Sequence, residues 1–274
     1  MSLTISRCVL IVAVVASPLR ADDVPLRFIR SFFTSGGHGL AFDDVNRVLW
    51  TFRTNTLRSY DEYGSAMLAF DDLAGEELGE AGLDVADIPF TLGAEYIPPG
   101  TVLVTNGKTG TADVHAISPD GILLATLITD FGDGDVVASA LAADGGTLFM
   151  VQRASPPQVA EVDTITGNTL NTFELEPHFM WSGGIGIEVL PVTNELLISG
   201  GFGLARVSPT GEFLGLTTGL QGSLSGLALD HSRNQLFTQT TGGRVNVYAI
   251  PEPRFLTWCI LALIALARRA RVVA

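Results

Sequence analysis

Three short stretches gather side chains with chemistry to offer. Asp130-Phe131-Gly132-Asp133-Gly134-Asp135 sets three carboxylates among glycines. Hard oxygen ligands on a flexible loop suit Ca²⁺, although the spacing is not that of an EF-hand loop, and a solvated acidic turn is the plainer reading. His178-Phe179-Met180-Trp181 places an imidazole beside an indole, as a sugar- or ligand-stacking loop would; core packing or a lid over the channel mouth is the plainer reading. His38, closing the turn Ser35-Gly36-Gly37-His38, is the third, and a lone histidine is more often structural than a ligand. The candidate ligand face is therefore His38, His178 and Trp181, the candidate metal ligands are Asp130, Asp133 and Asp135, and no catalytic residue is assignable.

Several chemistries are excluded. No G-x-S-x-G elbow, H-E-x-x-H pair, P-loop or Cys-His pair is present. The two cysteines, Cys8 and Cys259, lie in terminal apolar runs, so residues between them offer no thiol nucleophile, zinc cluster or disulfide. A carboxylate-based hydrolase stays open, because paired acids need no fixed spacing. That reading expects His38, Asp133, Asp135 and His178 to converge within ~6 Å near a common axis. Setting the two ends aside leaves ten basic residues against 28 acids, a net charge near −18. Such a surface repels phosphate backbones, which excludes nucleic acid as a partner.

The elements that must position these residues form a repeat. Gly39-Leu40-Ala41-Phe42-Asp43 is followed, after a turn-rich link, by an apolar strand at 48–52. The phrase returns at 92–96 with 101–105, 138–142 with 147–151, 186–190 with 195–199, and 226–230 with 235–239. The starts at 39, 92, 138, 186 and 226 are spaced by 53, 46, 48 and 40. A third and a fourth short strand follow in most units. Four strands every ~40–50 residues is the pattern of a β-propeller, so the fold class is all-β, with five four-stranded blades. The fifth unit supplies three strands, and residues 26–33 complete it, which removes an exposed edge. Six blades is the alternative if residues 71–90 hide a degenerate unit. Residues 71–88, rich in acids and without a base, read as a solvated insertion with one helical turn. The longest links between outer and next inner strands share one face with the candidate residues, which makes that face the expected binding surface.

The repeat phrase is similar, generically, to NHL- and YVTN-type propeller repeats, a likeness that implies architecture and no activity. At the N-terminus, Arg7 and the apolar run 8–17 read as a secretory signal ending near Ala21. At the C-terminus, Pro251-Glu252-Pro253 precedes an apolar run, 255–267, and then Arg268, Arg269 and Arg271. That order resembles the PEP-CTERM sorting tail. The resemblance implies recognition by an exosortase-type processing enzyme, with Pro251, Glu252, Pro253, Arg268, Arg269 and Arg271 as the sorting motif. The expected organisation is a signal peptide over 1–21, a propeller over 26–250 and a sorting tail over 251–274 containing a transmembrane helix at 255–267. Arginines after that helix favour a cytoplasmic C-terminus, with the body outside.

The leading expectation is an exported, membrane-anchored or surface-sorted propeller that binds a matrix glycan or protein without catalysis, with no cofactor beyond a possible Ca²⁺. The alternative is a propeller hydrolase or lactonase that uses acids and a divalent metal on the loop-rich face. A purely structural surface component is the third reading.

Overall fold

The computed structural model describes residues 26–250 except 54, 72, 74–81, 107–111, 132–135, 155, 176–184, 202, 219 and 223. The signal segment, the PEP-CTERM-like tail and its apolar run lie outside the described residues, as do Asp133, Asp135, His178 and Trp181. Among the described residues no helix is long and apolar enough to cross a membrane.

The chain forms five four-stranded antiparallel sheets arranged as the blades of a propeller. Strand β1 (Arg27–Phe33) comes first but belongs to the last blade. Blade 1 is β2 (Gly39–Asp43), β3 (Val48–Arg53), β4 (Thr56–Asp61) and β5 (Ala66–Asp71), from inner to outer. Blade 2 begins at β6 (Gly82–Val85), then makes a two-stranded hairpin, β7 (Phe90–Leu92) and β8 (Glu95–Ile97). It continues through β9 (Val102–Thr105), β10 (Val114–Ile117) and β11 (Leu123–Leu127). Blade 3 is β12 (Val136–Leu141), β13 (Thr147–Gln152), β14 (Gln158–Asp163) and β15 (Thr169–Glu174). Blade 4 is β16 (Gly186–Val189), β17 (Leu196–Gly200), β18 (Gly203–Val207) and β19 (Phe213–Thr218). Blade 5 is β20 (Leu224–Asp230), β21 (Gln235–Thr240) and β22 (Arg244–Ala249), and β1 pairs antiparallel with β22 to complete it.

Inner strands β2, β16 and β20 are buried along their whole length, because neighbouring blades cover both of their faces. Outer strands such as β5 and β15 are largely exposed. There is no single central core. The buried side chains fall into five clusters, each bridging one pair of adjacent blades, and the one joining Phe42 of blade 1 to Phe237 of blade 5 closes the ring. Those two rings stack with centroids 4.9 Å apart.

One unit departs from the sequence expectation. The inner strand of blade 2 is β6, not 92–96, and 92–96 belongs instead to the inserted hairpin. Part of the acid-rich stretch 71–88 is therefore the wall of the central channel rather than a solvated insertion. The physical reason is the close approach of inner strands at the axis. A Cβ on Gly82 would lie 2.6 Å from the Cα of Ala138, one on Gly186 2.7 Å from the Leu227 nitrogen, and one on Gly226 2.7 Å from the Leu40 Cβ. These contacts leave no room for a Cβ at the matching position of β6, β16 and β20, and Gly82 meets that demand where Leu92 does not.

Candidate functional site

Inner strands run in parallel around the axis, so residues at matching register positions form rings. The turn after each inner strand closes at Asp43 opposite Val48, Ala86 bonded to Thr101, Ala142 to Thr147, Leu190 to Glu195, and Asp230 opposite Gln235. One residue further along come Asp44, Asp87, Ala143, Pro191 and His231, an upper ring at the channel mouth. Two residues earlier come Ala41, Asp84, Ala140, Glu188 and Ala228, a lower ring on the channel wall. The rings carry Asp, Asp and His above, and Asp and Glu below, with small residues or proline between. Asp84, Asp87, Glu188 and His231 line one cavity of ≈ 110 Å³, together with Val85, Ile88 and Pro191.

The upper ring is built by its turns. Asp43 folds back on its own turn: Oδ1 accepts the N–H groups of Val45 and Asn46, each at 2.9 Å. Asp230 does the same for Arg233 and the Ser232 hydroxyl, at 2.9 and 2.7 Å. With these two residues capping the turns, the next residue in each, Asp44 and His231, is left to face the axis. Asp44 Oδ2 accepts the His231 N–H at 2.9 Å, which ties blade 1 to blade 5. Asp44, Asp87 and His231 each offer one ligand atom, and these three atoms lie within 4.8 Å of one another. They come from three consecutive blades: 5, 1 and 2.

The lower ring is fixed across blades. Asp84 accepts the N–H of Val85 at 2.7 Å and that of Leu141 on the next inner strand. Glu188, only 7% exposed, is influenced by the Leu229 N–H of blade 5, which favours its ionised form.

The electrostatics follow from crowding acids in a recess. Burial, then repulsion from Asp84, Asp44 and Asp43, pushes Asp87 up to about 7. Asp87 has the most solvent contact of the group, so its shift is tempered by water. Burial pushes Asp84 up to about 6, against its two backbone donors. Burial and the neighbouring Asp84, Asp87 and Asp44 raise Glu188 well above the ordinary glutamate value. Asp44 is raised by burial and by its bond to Asp230. Burial lowers His231, against the pull of Asp44 and Asp230, so its imidazole is neutral at neutral pH. His231 Nε2 lies 3.6 Å from Asp87 Oδ2 without being a charge pair, since the neutral imidazole carries no positive charge. Arg47 braces the rim: it pairs with Asp230 at 2.5 Å, Glu62 at 2.8 Å and Asp44 Oδ1 at 3.3 Å, and holds Asp230 down at about 2 despite its burial. The recess therefore crowds acids that hold their protons more tightly than free carboxyls do, with a neutral imidazole, around one point, and a cation displacing those protons would relieve the crowding. Two carboxylates and an imidazole fit a divalent cation such as Mn²⁺, Zn²⁺ or Ca²⁺.

The residues singled out from the sequence lie elsewhere or outside the described residues. His38 sits at the opposite end of the channel, where β2 begins, in a constriction of ≈ 10 Å³ lined by Gly39, Gly82, Ala138, Gly186 and Gly226. That is room for about one water at most, so the described channel opens at the Asp44 end. Asp130 caps a turn, with Oδ1 accepting the Thr169 N–H and hydroxyl at 2.7 and 2.6 Å, and these bonds hold its pKa below the ordinary value. Asp133, Asp135, His178 and Trp181 fall outside the described residues. The converging set is a different one, on the face opposite to that expected.

No protein-family model matches the chain, and no curated protein does. Among solved structures, it is similar to a gluconolactonase from Xanthomonas campestris, with 16% identity, a TM-score of 0.51 and coverage of 85% of this chain and 97% of that one. It is also similar to a protein of unknown function from Bacteroides caccae, with 14% identity, a TM-score of 0.48 and coverage of 73% of this chain and 69% of that one. Identities this low show a shared fold and nothing finer, and the chain is a β-propeller.

Proposed function

We propose that the protein is a divalent-cation-dependent hydrolase of small neutral esters or lactones, working at the Asp44 mouth of the channel. The observation that carries this reading is the convergence of Asp44, Asp87 and His231 from one register position in three blades, above a cavity walled by Asp84 and Glu188. A bound cation would polarise a carbonyl and make a water nucleophilic at neutral pH. The chain's own residues do the rest. Asp44, Asp87 and His231 would hold the cation. Glu188, once ionised beside the bound cation, would take a proton from the attacking water and return it to the leaving oxygen. The recess admits only the reacting group of a substrate, since ≈ 110 Å³ holds a few waters. Its negative potential turns anions away. The Xanthomonas campestris gluconolactonase supplies an example of a lactonase on this fold, and the cation-dependent assignment here leans on this chain's side chains alone.

A panel of lactones and aryl esters tests this. The expected result is turnover that stops with EDTA, returns with the cation, and falls by about 10²-fold or more in Glu188→Gln. Cation binding with no turnover across the panel contradicts it and leaves the non-catalytic binding role.

The address is part of the same proposal: export through residues 1–21 and sorting through the 251–271 tail. Mass spectrometry of the protein from the native envelope is expected to find residues 1–21 missing. A retained leader sinks that part.

A further inference from the structure

The turns that surround the channel mouth carry exposed apolar side chains at their tips. Val45 lies between β2 and β3, Tyr63 between β4 and β5, Ile122 between β10 and β11, Ile165 between β14 and β15, and Val192 between β16 and β17. Tyr96 adds a sixth on the inserted hairpin, which stands on this face and is braced by the Gly93 N–H donating to Thr164 at 2.8 Å. Val192 is 95% exposed and Tyr96 69%. Single exposed apolar residues are ordinary on soluble proteins. Here they crown blades 1 to 4 on one face, and blade 5 has a different feature at that place. Its last strand, β22, ends on the mouth face, because the Ile250 N–H donates to Asn234 in the turn that carries His231. Arg27 at the start of β1 pairs with Ala249 at the end of β22. Both ends of the chain therefore leave the ring side by side at the mouth, and the C-terminal one runs at once into Pro251 and the apolar run 255–267.

We infer that the mouth face docks on a lipid bilayer, with the six apolar tips entering its interface and the channel opening toward it. This rests on the reading of 255–267 as a membrane segment and is independent of the hydrolase reading. A tether without a linker holds the face at high effective concentration against the lipid, so shallow contacts suffice. The acids around the mouth set the lipid preference: neutral phosphatidylcholine docks the face, and anionic lipid loosens it. The substrates that reach the site are then those that partition into the interface.

The test uses the full chain, with Cys8→Ser and Cys259→Ser, reconstituted in phosphatidylcholine vesicles. A fluorophore is placed at Val192→Cys on the mouth face or at Ile128→Cys, which is exposed at the other end of β11. With brominated lipid, the label at 192 is expected to be quenched about twofold and the label at 128 to stay unchanged. Adding Tyr96→Asp and Ile165→Asp, with the β-sheet circular dichroism retained, should abolish the quenching at 192, and anionic lipid should weaken it. Equal quenching at both sites, quenching only at 128, or shielding of 192 by a second copy revealed by crosslinking overturns the inference. Failure to float with the vesicles also overturns it, and shows that the tail rather than the face is at fault.

Discussion

At the scale of single residues, the site depends on a division of labour between neighbours in the same turn. Asp43 and Asp230 spend their oxygens on backbone and hydroxyl donors, so Asp44 and His231 can face the axis. Arg47 stabilises that arrangement through Asp230, whose side chain is wholly buried. Arg47→Ala should cost about 2 kcal/mol in urea unfolding, because it strands a buried carboxylate, and Arg47→Lys should recover only part of the loss. Full recovery by lysine would show that plain charge, not the forked guanidinium, does this work. Asp44, Asp87 and His231 were visible in the sequence but indistinguishable from ordinary turn residues. What picks them out is a shared register position across blades. That comparison fails unless blade 2 is started at Gly82 rather than Leu92. Histidine and glycine-spaced acids look like ligands in one dimension; in three, Asp130 caps a turn and His38 borders a constriction with room for about one water at most.

At the scale of elements, the repeat phrase revealed the blades because inner strands have little freedom. They are short, apolar and small at their first position, where the backbones nearly touch. The closing strand β1 was legible for a related reason, since β22 would otherwise present an unpaired edge. The start of blade 2 was hidden by its own function: Asp84 and Asp87 make a channel wall look like a solvated loop. The axial packing predicts a sharp contrast. Gly82→Ala pushes a methyl against the Ala138 backbone and should lower stability by about 1–3 kcal/mol. Gly146→Ala, where the nearest atom is 3.5 Å away, should fall within about 0.5 kcal/mol of wild type. Denaturant midpoints of the two variants measure this, and equal midpoints would contradict the tight collar.

At the scale of the whole molecule, the acid recess gives folding a characteristic pH dependence. Asp84 and Asp87 have folded values of about 6 and 7 against an ordinary 3.8, and Glu188 is raised in the same direction. The folded state therefore binds more protons than the unfolded chain between these limits, and stability falls as pH rises from about 4 to 7. Without divalent cation, the melting temperature should be higher at pH 5 than at pH 8, and a saturating cation should narrow or reverse that order. A melting temperature that rises steadily over this range in the presence of EDTA would contradict the shifts. The same charge arrangement is what makes the mouth a cation site, so the most direct measurement is calorimetric titration of Mn²⁺, Zn²⁺ and Ca²⁺ into the chelator-treated protein. Binding of at least one of them at a single site is expected, and it should be lost in Asp87→Asn and in His231→Ala while both variants stay folded. No binding by the wild type, or undiminished binding by the two variants, would contradict the assignment of Asp44, Asp87 and His231 as the centre of the molecule's function.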